Sequence, residues 1–270
     1  MRLVTYERRG VRRLGAAIAG VVVDLPDAVG HPAFPRTMEE LVEHHGGSIL
    51  AAARTAIDQP EVIAEFGVFH PRLLSPLVPA SFLEPFGDAD RPAGPQASRT
   101  VLGPDGILPW PRSIPLIGCH VEVACVVGRR GRGLSARDAS RAVFGYTVMV
   151  QWSAVGGDDE TPAPFATSLG PWIVTADEAD LDGAETTASV DGEVVATAVL
   201  RPEPAGFADL IAGASMVEDV GPGDVLGSTA FGASFDLTLD RRLVAGSNVE
   251  VAVDGIGSLA TRVGATRRRR

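Results

Sequence analysis

The chain has 270 residues and a formal net charge of −10, from 34 acidic and 24 basic side chains, a balance that argues against nucleic acid or an anionic membrane as its main partner. No lysine occurs, so Schiff-base and lysine general-base chemistry are excluded outright. At 45% hydrophobic, with 31 Gly and 20 Pro, the composition is that of a strand-rich globular protein with tight turns and room for one large or two modest domains.

Residues 2–6 and 15–25 read as a pair of strands. Helix-like periodicity follows over 37–45 and 48–57, interrupted at Gly46-Gly47 and stopped by Pro60. These elements make a small α/β unit over residues 1–70, in which His44 and His45 are expected at the surface. Residues 70–115 are proline-rich, a composition of connecting loops and short edge segments. Beyond them the pattern is mostly β, and residues 71–270 form the second, larger unit. Strands are predicted over 119–128, 146–153 and 172–175, with a short helix over 135–143 capped by Ser135 and backed by Asp138. Asp191-Gly192, between strands at 186–190 and 193–200, is a strong hairpin signal. A helix over 207–216 and strands near 224–229, 235–239, 248–253 and 256–263 complete the pattern. Many short strands separated by glycine turns predict a mixed, β-rich α+β fold, with a rolled or barrel-like sheet behind the small N-terminal α/β unit.

Cys119 and Cys125 lie six positions apart on one predicted strand, about 20 Å, so they cannot bond to each other within it. They are expected to be buried free thiols, consistent with a reducing cytoplasm. The apolar stretch over 14–25 is interrupted by Gly20 and Asp24 and is far short of a membrane span, so no membrane association is expected. The arginine run at 267–270 reads as a solvated tail.

Several segments occur together in a telling order: LLSPLVPASF at 73–82, HVEVACVVGRRGRGLSARDA at 120–139, GYTVMVQWSA at 145–154, and FATSLGPWIVTADE at 165–178. SVDGEVV at 189–195, GPGDVLGS at 221–228 and DGIGSL at 254–259 continue the series. With these words, roughly residues 73 to 263 resemble the fumarylacetoacetate hydrolase superfamily. The resemblance implies a mixed β-roll (a β-sandwich or barrel) behind a small N-terminal domain, usually as a homodimer. It also implies chemistry on acylpyruvates and related 2-oxo or β-dicarbonyl acids, with a divalent metal gripped by three carboxylates. Here the first Glu of the family's Glu-x-Glu strand is His120, and the second is kept as Glu122. The metal-binding Asp falls on Gln151 and its Asn neighbour on Val150. The family's lysine falls near Ala163, its loop histidine near Arg91, and its Gly-Thr on Thr229-Ala230.

Residues i and i+2 of a strand share a face, so His120 and Glu122 point the same way. A carboxylate beside an imidazole orients it and raises its basicity, which makes the pair a candidate for proton transfer. Gln151 is the third catalytic candidate, because an amide can donate to a carbonyl or oxyanion. Arg91, Trp152, Ser153 and Thr229 are the substrate-binding candidates. Trp152 also reads as core packing, and Arg91, Arg99 and Arg112 read either as a carboxylate clamp or as exposed side chains. Asp158, Asp159 and Glu160 read as a solvated loop. One carboxylate, one imidazole and one amide make a poor seat for Mg²⁺, so no cofactor is expected. If a metal does bind, His120, Glu122 and Gln151 are its ligands, and Mn²⁺, Fe²⁺ or Zn²⁺ suits them better.

The leading expectation is a cytoplasmic homodimeric enzyme acting on a small enolisable 2-oxo or β-dicarbonyl compound without Mg²⁺, in secondary metabolism. Isomerisation, tautomerisation, cyclisation, elimination or decarboxylation fits better than hydrolysis, which needs an activated water. The alternatives are a non-catalytic paralogue that binds a ligand or partner, and a C–C bond hydrolase with an unusual metal site.

Overall fold

In the strand Leu116–Val127, residues 119–127 are buried except His120, and the strand runs between partners on both sides of the larger of two sheets. The structure is a computed structural model and describes residues 1–83, 100–111, 114, 116–155, 164–200, 206–227, 235–236 and 243–265. Among them the larger sheet has twelve strands and the smaller has five, a mixed, sheet-rich α+β fold with no closed barrel.

The smaller sheet lies on one face of the larger. Val121, Val123, Cys125, Val148, Val150 and Trp152 meet Ala188, Val249, Val251 and Leu259 there in one core. The opposite face carries Ala124, Val126, Met149, Leu169 and Ile173, and packs against Met38, Leu41, Ala53 and Ile57 of the N-terminal helices. Both cysteines are buried free thiols, and burial pushes the Cys125 thiol upward. Alternation along Leu116–Val127 therefore sends odd positions into one core and even positions toward the other. His120 and Glu122 are even.

The strand Arg2–Arg8 sets Leu3 opposite Ile173, so the N-terminal strands extend the larger sheet. Three local expectations differ from the structure. The segment read as one strand at 15–25 is two, Val11–Ile18 and Val21–Asp24, joined at Ala19-Gly20 with φ of 48° and 81°. Pro60 opens a further helix, Pro60–Phe66, because a proline's missing N–H costs nothing in the first turn. The helix after Ser135 is only Ala136–Ser140; Ser135 caps it as expected, accepting from Asp138 N, and Val143 then begins a strand. The Asp191-Gly192 turn joins Glu185–Val190 to Glu193–Val199, with both turn residues at positive φ. His45 is half-buried rather than exposed. Its Nδ1 lies 2.7 Å from the Val42 carbonyl and its ring meets Phe144 edge-on at 5.0 Å, beside Gly128, where a Cβ would overlap it.

The N-terminal unit holds a buried charge. Asp24 has no exposed surface, accepts from Arg13 Nε at 2.8 Å and Nη2 at 2.6 Å, and takes further bonds from the Tyr6 hydroxyl and the Asp27 N–H. Burial alone would raise its carboxyl, but these donors hold it below the ordinary carboxylate range. A depressed folded value means stability that is present above the unfolded pKa of about 3.9 and lost as pH falls through the folded one. Removing one partner of such a pair typically costs about 3–5 kcal/mol. Asp24→Asn is accordingly expected to lower the urea midpoint at pH 7, and to narrow its gap to the unchanged chain as the medium is acidified below pH 4.

Candidate active site

The strand Val143–Val155 lies antiparallel beside Leu116–Val127, in a register that sets Gln151 opposite His120 and Met149 opposite Glu122. Directly opposed residues share a face, so His120, Glu122 and Gln151 are brought together on the face away from the small sheet. His120 Nε2 lies 3.1 Å from Glu122 Oε1, within ion-pair range. The carboxylate is 2% exposed and the imidazole 24%, so the acid is sealed in while the ring reaches solvent. Ser153, half-buried and opposite Gly118, continues the same face.

Trp152 takes the other face. It is fully buried, and its Nε1 donates to Ser168 Oγ at 2.9 Å, which also accepts from Thr261 at 2.9 Å. Its side chain lies on the opposite face from His120, as a core residue joining the two sheets. Arg91 and Thr229 lie outside the described residues, as do Arg99, Arg112, Ala163 and the acidic run at 158–160.

One residue that the sequence did not single out packs directly behind Glu122. Gly227, opposite Ala124, sits so close that a Cβ added there would overlap Glu122 Oε2, lie 2.6 Å from its Cδ and 2.8 Å from Met149 Cε. Its φ is ordinary, so space and not backbone freedom requires glycine. A methyl group at this place overpacks the wall, which typically costs about 1–3 kcal/mol. Gly227→Ala is expected to destabilise the chain by that amount, and most of the loss should vanish in the Gly227→Ala/Glu122→Ala double variant, measured as a coupling by denaturant titration. Nothing in the sequence pattern pointed to this contact, because it depends on which strand lies beside Glu122.

On the far side of His120, the short strand Phe235–Asp236 pairs with Leu116–Val127 and sets Asp236 opposite His120. Among the described residues no group of three His, Cys, Asp or Glu side chains is placed to hold a metal ion. The Glu122 carboxylate and the Gln151 amide oxygen on this common face are oxygen donors of the kind that suits Mn²⁺, with less charge than Mg²⁺ prefers.

Comparisons with known proteins bear on this face. The family model for the fumarylacetoacetate (FAA) hydrolase C-terminal domain matches residues 90–264. A mitochondrial oxaloacetate tautomerase of Rattus norvegicus is 28% identical over 269 residues, covering 84% of this chain and 79% of that protein. A maleylpyruvate hydrolase of Aquipseudomonas alcaligenes is 32% identical over 112 residues, covering 40% of this chain and 39% of that one. Among solved structures, a maleylpyruvate hydrolase from a Sphingobium species, in complex with manganese(II) and pyruvate, superposes with a TM-score of 0.77 at 21% identity, over 99% of this chain and 100% of that one. That likeness establishes a shared fold. The manganese in it overturns the expectation that this cleft carries no cofactor. The expectation treated the loss of two carboxylates as decisive and kept a divalent ion on His120, Glu122 and Gln151 only as the lesser alternative. Among the described residues no helix is long and apolar enough to cross a membrane.

Proposed function

Because this chain belongs to the fumarylacetoacetate hydrolase family, we propose that it is an enzyme that interconverts the enol and keto forms of a small 2-oxo dicarboxylate, with His120 as proton carrier. The observation that carries this reading is the 3.1 Å approach of His120 Nε2 to a carboxylate sealed from solvent. With Nε2 turned toward this carboxylate, Nδ1 is the ring nitrogen left to exchange a proton with a substrate. Glu122 fixes the ring and stabilises the imidazolium formed when Nδ1 takes a proton.

Ketonisation then needs no water. The enol O–H gives its proton to Nδ1, and the imidazolium returns a proton to the adjacent carbon, so one O–H bond breaks and one C–H bond forms. The Gln151 amide, across from His120, donates to the oxygen on which negative charge develops. A divalent ion bound here would be held by Glu122 and the Gln151 amide oxygen, and would supply positive charge to the enolate. The substrate is thus a small molecule, and the working unit, as the family resemblance implies, is a homodimer.

Support comes from the rat relative's name, oxaloacetate tautomerase, and from the pyruvate in the Sphingobium structure, itself a 2-oxo acid. The second reading is C–C bond hydrolysis, favoured by the two proteins named maleylpyruvate hydrolase. Mixing the chain and Mn²⁺ with enol oxaloacetate, and separately with maleylpyruvate, divides them. Faster ketonisation with no cleavage supports the tautomerase; pyruvate released from maleylpyruvate supports the hydrolase. Neither reaction with either compound would remove the catalytic reading in favour of a binding protein.

A further inference from the structure

A glutamate side chain is long and freely rotating, and proton transfer through His120 needs the Glu122 carboxylate to stay in one place. Its neighbours on this sheet face are largely apolar. Met149 stands directly opposite Glu122 on the strand Val143–Val155, while Ala124, two positions along Glu122's own strand, stands opposite Gly227. Met149 is 1% exposed and belongs to the core that packs on the N-terminal helices. Its Cε and the Glu122 Cδ lie 2.8 Å and 2.6 Å from one point, the place where a Cβ on Gly227 would stand. Thioether methyl and carboxylate thus converge on the same small volume, beside a residue with no side chain of its own.

We propose that Met149 is a positioning residue for the proton-transfer pair: its terminal methyl, set beside Gly227, closes the space next to the carboxylate and keeps Glu122 Oε1 at His120 Nε2. The proposal rests on His120 as proton carrier, and it names a side chain that touches no substrate yet sets the rate. Methionine suits the task. It is unbranched, fills an irregular gap, and brings no hydrogen-bond donor that would compete with His120 for the carboxylate. With the gap emptied, the carboxylate can swing away from the ring, and a misplacement of about 1 Å can cost on the order of 10²-fold in rate.

The test pairs turnover with a direct reading of the His120 ring. The proteins are the native full-length chain, Met149→Ala, the refilled Met149→Leu, and Ile173→Ala, which opens a cavity in the same core away from Glu122. Each is assayed with enol oxaloacetate at fixed Mn²⁺. The native chain and Met149→Ala, each with and without Glu122→Gln, are also labelled with ¹⁵N-histidine; the chain has five histidines, and His120→Ala identifies the signal of this one. Met149→Ala is expected to lower kcat about tenfold or more with KM held within about threefold, and the other two variants to keep kcat within about threefold of native. Glu122→Gln should shift the His120 ring resonances in the native chain, and by about half as much or less in Met149→Ala. A shift that Met149→Ala leaves undiminished would overturn the positioning role. Full turnover in Met149→Ala beside an active native chain would overturn it too, and so would an equal kcat loss in Ile173→Ala. A native chain inactive toward enol oxaloacetate, with the shift still diminished in Met149→Ala, would remove the tautomerase reading and leave Met149 holding the pair. Should Met149→Ala not fold, Met149→Val, which also lacks the terminal methyl, is judged by the same two readouts.

Discussion

Glu122→Gln is expected to lose tautomer interconversion by about a hundredfold or more, the range in which a positioned acid–base pair contributes, and to bind Mn²⁺ at least tenfold more weakly. The substitution keeps the shape of a side chain that is 2% exposed and packed against Gly227, so the wall behind it is undisturbed. An amide of the same size still fills the place beside His120 Nε2. What it cannot do is stabilise an imidazolium or neutralise a dication. The loss should therefore appear in kcat and in metal affinity together, with the melting temperature held or raised, since a buried charge has been removed. Enol-absorbance decay, metal titration and thermal melts on the same preparation check all three. A Glu122→Gln chain with full turnover would mean that the carboxylate only fills space.

His120→Ala separates the proton carrier from the metal. With the ion held by oxygens, the variant should keep Mn²⁺ affinity within about threefold while turnover drops by about 10²–10⁴-fold, the usual worth of general acid–base catalysis. Imidazole added to the buffer should restore part of the rate, because the vacated space opens to solvent where the native ring is 24% exposed. The measurement is a metal titration beside the enol assay, with and without imidazole. Loss of metal binding in step with turnover would make His120 a ligand, and some other group would then move the proton.

Much of this face was legible in the sequence because it depends on rules of short range. The i and i+2 relation placed His120 and Glu122 on one side of a strand, and the family words placed Gln151 near them; both relations hold in the observed register. The same alternation puts Trp152 on the opposite face from Gln151, where it binds Ser168, so its assignment to the substrate pocket could have been questioned from position alone. Gly227 and Asp236 were not legible. A strand was predicted near each, but which strand lies beside Glu122, and in what register, is fixed by long-range pairing that leaves no local mark. The turn at Ala19-Gly20 was missed for a different reason: the apolar run continues through it, and only the left-handed backbone at both residues breaks the strand. Pro60 was read as a stop because a proline ends a helix and can equally begin one. The cofactor expectation failed on chemistry and not on folding, since carboxylate count alone does not decide whether a borderline metal binds.

The most direct measurement is the rate of enol decay of oxaloacetate, followed by ultraviolet absorbance at fixed Mn²⁺, as the concentration of the native chain is varied beside a matched series of Glu122→Gln. The expected result is a rate that climbs in proportion to native protein and stays at the buffer-plus-metal value throughout the variant series. Two superimposed series, whether both flat or both rising, would contradict the assignment of this sheet face as the seat of the reaction.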